Sequence, residues 1–134
     1  MSQATVSDTT AGEVDERIEA AHRAYLTARN VSPTERRTWL YGVADALDGN
    51  ADELIALADE ESHLGVTRLT GELARTSFQV RLLADEAASG EAFELVIDHA
   101  DPDWGMGPRP DIRRMNVPVG VAGVFGASNF PFGK

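Results

Sequence analysis

Residues 118–131 read Pro-Val-Gly-Val-Ala-Gly-Val-Phe-Gly-Ala-Ser-Asn-Phe-Pro. Gly120 to Phe125 is a short apolar run of small and β-branched residues closed by Gly126. Such a run fits a strand buried on both faces of a parallel sheet. Gly126, Ala127 and Ser128 let a ligand approach the backbone closely. Asn129 follows, before Phe130-Pro131. In open α/β sheets ligands sit at the carboxyl ends of strands, so Asn129 stands where a site belongs. Taken alone, an Asn before Phe-Pro reads first as a turn residue and only second as a chemical one.

Upstream, the period changes. Phe93 to His99 alternates Phe93, Leu95 and Ile97 with more polar neighbours, and Ile112 to Val117 is a second strand candidate. The intervening stretch, residues 101–110, holds three Pro and two Gly and reads as the loop of a long hairpin. Four helical patterns come before it. Val14, Ile18, Ala21, Tyr25 and Ala28 form one apolar stripe. Ser32, Pro33 and Glu35 give a helix start, followed by Trp39, Leu40, Val43, Ala44 and Leu47. Asn50 and Glu53 repeat the capping logic ahead of Leu54, Ile55, Leu57 and Ala58. The fourth helix spans about 67–89 with a seam of Leu69, Leu73, Val80, Leu83 and Ala87, and Gly90 ends it. Met1 to Thr10 is Ser/Thr-rich and expected to be frayed. The expected divisions are a disordered tail over 1–12, a helical segment over 13–90, a β-hairpin over 91–118, and the start of a further domain over 119–134.

Composition excludes several functions. In 134 residues, 12 Lys and Arg against 22 Asp and Glu give a net charge of −10. That balance disfavours gripping nucleic-acid phosphates or an anionic membrane. No apolar run approaches a membrane span, no signal pattern opens the chain, and a cytoplasmic location is the default expectation. With no cysteine there is no disulfide, thiolate metal site or cysteine nucleophile in this chain. Asp59-Glu60-Glu61, and Asp98 with Asp101 and Asp103, read as solvated surface, since the spacing of a calcium loop is absent. His22, His63 and His99 lack the spacing of a helical zinc pair, so no metal site is expected. Arg109, Arg113 and Arg114 read first as ion-pairing residues and second as an anion clamp. Trp39 is expected in the core, and Trp104 at the hairpin tip or an interface.

The stretch "RRMNVPVGVAGVFGASNFPF", with "ADELIALADEESHLG", "GELARTSFQVRLLAD" and "RPDIRRM" upstream, resembles the aldehyde dehydrogenase superfamily. Within it the motifs are similar to those of the α-ketoglutaric semialdehyde dehydrogenases, over roughly residues 14–132. The resemblance implies a truncated α/β fold: four N-terminal helices, a hairpin that bridges subunits, and the first strand of a Rossmann-like parallel sheet. It implies a small aldehyde as substrate, NAD or NADP as cofactor, and homo-oligomeric relatives.

The implied chemistry is attack of a cysteine thiolate on the aldehyde, hydride transfer to the nicotinamide, and hydrolysis of the thioester by glutamate-activated water. Asn129 matches the asparagine whose amide stabilises the oxyanion. Phe125, Gly126, Ala127, Ser128 and Asn129 match the stretch along the nicotinamide end of the cofactor site. A complete member is several times longer, and this chain carries neither the nucleophile nor the general-base glutamate. The reading is therefore an inactive N-terminal fragment of an NAD(P)-dependent semialdehyde dehydrogenase. The alternative is a non-catalytic helical interaction module that pairs with a full-length homologue. Gly133-Lys134 do not continue the helix that the family places after Phe-Pro, and an interrupted frame near Phe132 is expected.

The two readings separate on expression of the chain by itself. A fragment leaves the apolar run 117–125 exposed, and should show poor solubility or loose packing with no NAD(P) reduction. A sharp, cooperative melt as a soluble monomer contradicts it. Co-purification with a full-length dehydrogenase favours the interaction module.

Overall fold

The computed structural model describes residues 8–133; residues 1–7 of the start expected to be frayed over 1–10, and Lys134, lie outside the described residues, and α-helix begins at Ala11, inside the tail expected over 1–12. It contains four α-helices, a 3-10 turn and a two-stranded antiparallel sheet. Two compact units account for the chain: one of residues up to Val31 with Pro118–Gly123, the other of Ser32–Val117 with Val124 onward.

In the first unit, α1 (Ala11–Ala28) starts earlier than its apolar stripe suggests. Thr10 accepts from the Glu13 amide at 3.3 Å, and Glu13 Oε2 accepts from the Thr10 amide at 2.8 Å. This reciprocal capping box supplies partners to two of the amides that a helix start leaves unpaired. Its signal, Thr-x-x-Glu, lies in the polar stretch expected to be frayed. The same hydrogen bonds hold the Glu13 carboxyl below its ordinary pKa, that from the Thr10 backbone foremost. No residue of α1 is buried; Val14 and Ile18 are exposed, and Tyr25 is half-buried with its hydroxyl donating to the Pro118 carbonyl at 3.4 Å.

The second unit is organised on α4 (Val66–Ser89), which packs mainly against α2 (Pro33–Gly49) and more lightly against α3 (Ala51–Ser62). Ser32 caps α2 by accepting from the Glu35 amide at 3.2 Å, and Pro33 occupies the first turn. Asn50 departs from expectation. Its side chain makes no cap to α3 and instead donates to the Ala46 carbonyl at 2.7 Å. Asn50 is both the last cap of α2 and the first of α3, and the exposed α2 carbonyl takes its amide.

Ile55, Ala58 and Leu69 form a core cluster, with Ala51, Leu64 and Phe132 packed against it. Leu69 is fully buried, which contributes about 2 kcal/mol. Ala44 and Ala84 are also fully buried, and their small side chains let helix backbones approach closely. Trp39 is a correction: it is 47% exposed and belongs to no buried cluster, and Val43, one turn on, is exposed too. In the α4 seam Leu69 and Leu73 are buried, but Leu83 is exposed and Glu72, Ser77 and Ala84 are buried in its place. The buried stripe follows the i, i+4, i+8 line from Leu69 through Leu73 to Ser77.

Ion pairs cross from α2 to α4. Arg37 meets Asp85 at 2.6 Å, with Tyr41 donating to the same carboxyl at 3.0 Å. Arg81 meets both Asp45 at 2.6 Å and Asp48 at 2.8 Å. Asp85 is held below the ordinary carboxyl range by the Arg37 hydrogen bond first and by Tyr41 second. Asp48 is lowered too, by the neighbouring Ser77 hydroxyl and then by Arg81. The Ser77 contact falls short of strict hydrogen-bond geometry, so the Arg81 pair is the firmer of the two.

Gly90 ends α4 at φ 82°, a conformation that favours glycine, and a 3-10 turn follows over Glu91–Phe93. The expected strand over 93–99 shortens to β1 (Val96–Asp98), because Glu94 at φ 44° interrupts the extended backbone. Its partner is β2 (Ile112–Arg114), in the register Val96 to Arg114 and Asp98 to Ile112. Asp98 and Arg114 pair diagonally at 3.9 Å. Arg113 pairs with Asp111 at 2.9 Å, and Arg109 donates to the His99 carbonyl and lies over Trp104, which sits in the connecting loop. The α/β class therefore stands, but residues 120–125 form no strand. A strand is made by a neighbour's hydrogen bonds, and among the described residues 120–125 make no backbone hydrogen bond to another segment. Among the described residues no helix is long and apolar enough to cross a membrane.

Depressed Asp48 and Asp85 give a pH dependence of definite sign. A carboxyl lowered in the folded state stabilises the fold above its unfolded value, near pH 4, and that contribution is lost as pH falls through the lowered value. The thermal midpoint should therefore drop on acidification below about pH 4, and drop less in the Asp48→Asn, Asp85→Asn double variant. Equal acid sensitivity of the variant and the parent contradicts this assignment.

Candidate functional site

The predicted site residues fall in an open strip. Phe125 is 93% exposed, and Gly126, Ala127, Ser128 and Asn129 are exposed as well. A methyl group added at Gly126 would meet no atom within 4 Å. These residues form no enclosed cradle for a dinucleotide among the described residues, so no step through a cofactor follows from their geometry. A hollow of about 250 Å³ lined by Asp48–Glu53, at the α2–α3 junction, contains none of them.

Asn129 lies in a turn closed by the Phe130 amide on the Ala127 carbonyl at 3.3 Å. Among the described residues its side-chain amide has no hydrogen-bond partner and is accessible. The backbone around it is held firmly by side chains of α4. Arg68 Nη2 donates to the Asn129 carbonyl at 2.6 Å. Glu72 Oε1 accepts from the amides of Phe132 at 2.7 Å and Gly133 at 3.1 Å. Thr76 Oγ1 donates to the Phe132 carbonyl at 2.8 Å, and the Arg75 guanidinium lies 5.5 Å from the centre of the Phe130 ring.

The local sequence explains this cradle. Arg68, Glu72 and Thr76 stand four residues apart, and so share one face of α4. Glu72 and Leu73 are both buried, which turns that face partly inward beside the hydrophobic stripe. Phe132 in turn packs on the Ile55–Ala58–Leu69 core, bringing its backbone to Glu72. Sequence reasoning named the turn and missed the helix that holds it. The available signal was polar residues at four-residue spacing flanking Leu69 and Leu73.

Acidic and histidine clusters acquire structural roles. Asp59 accepts from the Gly65 amide at 2.8 Å, and Asp101 from the Asp103 amide at 3.0 Å. His63 ends α3 in the left-handed region, and His99 lies 3.7 Å from Asp111. Among the described residues no group of three or more His, Asp or Glu side chains could hold a metal ion.

A close approach fixes Gly133. A methyl group there would stand 2.8 Å from Cδ1 and 3.0 Å from Cζ of Phe130, and closer still to Cε1. Gly133→Ala should displace the ring from Arg75 and cost about 1–3 kcal/mol of stability. In a Phe130→Ala background the same change should cost little, and additive losses in the double variant contradict the clash.

Residues 2–133 match the pattern of the aldehyde dehydrogenase family. The chain is 35% identical over 125 residues to an α-ketoglutaric semialdehyde dehydrogenase of Acinetobacter baylyi, covering 93% of this chain and 24% of that protein. It is 38% identical over 119 residues to α-ketoglutaric semialdehyde dehydrogenase 2 of Azospirillum brasilense, covering 89% and 23%. An NADP-dependent succinate-semialdehyde dehydrogenase of Schizosaccharomyces pombe is 29% identical over 128 residues, covering 96% and 24%. The chain thus spans about a quarter of the length of these relatives and corresponds to their N-terminal region. On the family match and these identities, the chain belongs to the aldehyde dehydrogenase family.

Proposed function

We propose that this chain supplies the N-terminal part of an NAD(P)-dependent semialdehyde dehydrogenase, with α-ketoglutaric semialdehyde as the substrate, and is inactive by itself. The observation that carries the reading is the free, accessible amide of Asn129 on a turn whose backbone is tied to α4. An amide held in this way can donate to an oxygen that gains charge only as a nucleophile attacks the carbonyl. A fixed donor aimed at such charge contributes about 3 kcal/mol to the transition state. The nucleophile is not in this chain, which has no cysteine.

In a complete enzyme Phe125 to Ser128 would line the nicotinamide side once further residues enclosed them, and the nicotinamide would supply the hydride acceptor. Two of the relatives above, both named as α-ketoglutaric semialdehyde dehydrogenases, support the substrate assignment. The hairpin of β1 and β2 is read as a bridge between subunits. Its exposed Leu95, Val96 and Ile97 suit that role.

A hybrid tests the reading: residues 2–133 replace the matching region of the Azospirillum brasilense relative. It should reduce NAD(P) with α-ketoglutaric semialdehyde, while this chain alone does not. Asn129→Ala in the hybrid should lower kcat by about 10²–10³-fold with KM little changed. Full kcat in the Asn129→Ala hybrid overturns the role given to Asn129.

A further inference from the structure

Glu72 is an unusual occupant of the face it shares with Leu69 and Leu73. It is only 6% exposed, and burying a carboxyl is costly unless hydrogen bonds replace its water. Oε1 receives two backbone amides, those of Phe132 and Gly133. Oε2 is buried without a partner among the described residues. A side chain kept there for packing alone would be an apolar one, since a half-satisfied carboxyl is a poorer filler than a methionine of similar length. What Glu72 adds over such a filler is an acceptor that fixes the backbone of residues 132–133.

The fixed segment is three residues from Asn129. Arg68, one turn earlier on α4, holds the Asn129 carbonyl itself. Thr76, one turn later, holds the Phe132 carbonyl. Side chains of three successive helical turns thus grip both ends of a five-residue stretch, leaving the Asn129 amide as the group that projects without a partner. Pro131 stiffens the stretch by fixing its own φ. Displacement of such a donor by about 1 Å costs on the order of 10²-fold in rate.

We propose that Glu72, acting with Arg68, is a positioning residue for Asn129: its buried carboxyl fixes the 132–133 backbone and thereby the direction of the Asn129 amide. The proposal rests on the oxyanion role given to Asn129 above. Glu72 touches neither substrate nor cofactor and works wholly through the turn.

Two variants separate hydrogen bonding from packing. Glu72→Met keeps the length and bulk and removes the acceptor, whereas Glu72→Gln keeps an acceptor oxygen. On the 134-residue chain, amide hydrogen exchange over residues 129–133 should speed up about tenfold in Glu72→Met, with exchange in α2 unchanged, and return toward the parent rate in Glu72→Gln. In the hybrid enzyme Glu72→Met should lower kcat by about 10²-fold at nearly constant KM, with Glu72→Gln restoring most of it. Equal exchange in the methionine and glutamine variants reduces Glu72 to packing and overturns the proposal. So does an unchanged kcat in Glu72→Met when Asn129→Ala has lost activity. If Asn129→Ala itself keeps full kcat, the oxyanion reading has failed and the positioning role falls with it. That pattern is distinct from failure at Glu72 alone.

Discussion

Two backbone amides donated to one buried carboxyl oxygen tie the candidate site to the folded core. Glu72 stands on α4 beside Leu73 and one turn from Leu69, so the helix that buries the apolar stripe also receives the Asn129 turn. The anchoring is mutual. Phe132 covers the Ile55–Ala58–Leu69 cluster while its amide and carbonyl bond to Glu72 and Thr76. Loss of the hydrogen bonds would free the ring, and loss of the ring would leave a buried carboxyl without its partners. Polar and apolar contacts meet at Phe132, whose backbone supplies the first and whose ring supplies the second.

Elsewhere the second unit relies on a different balance. Its helices bury few large side chains, and Trp39, Val43, Phe78 and Leu82 remain exposed. Close approach of small residues at Ala44 and Ala84 is bracketed by the Arg37–Asp85 and Arg81–Asp45–Asp48 pairs. Such exposed pairs align helices more than they stabilise them, since solvent screens much of their attraction. The apolar faces that stay open accord with a chain that spans about a quarter of its relatives' length.

Motifs carried by local chemistry were the legible ones. Ser32-Pro33 opens α2, Gly90 closes α4, and the Pro/Gly-rich loop separates two strands, because each depends on a backbone conformation or cap available within a few residues. The Thr10 capping box was equally local and was hidden only by its polar surroundings. Errors arose where the outcome depends on something distant. Trp39 fits an apolar stripe, yet a stripe is buried only if another surface meets it. Residues 120–125 have the composition of a strand, yet hydrogen bonds to a neighbour make a strand. Glu94 shortened β1 through a positive φ that its residue type does not announce.

By itself the sequence determined the four helices, the hairpin, the absence of a cysteine nucleophile and the turn that carries Asn129. These follow from periodicity, capping, composition and a motif read along the chain. Only the tertiary structure decided that Arg68, Glu72 and Thr76 grip that turn, across a separation of some sixty residues. Helical spacing puts those three side chains on one face, but it does not say what the face will meet. The packing of Phe132 onto the core settles that, because it brings the polar backbone of residues 129–133 within reach of side chains that would otherwise face water.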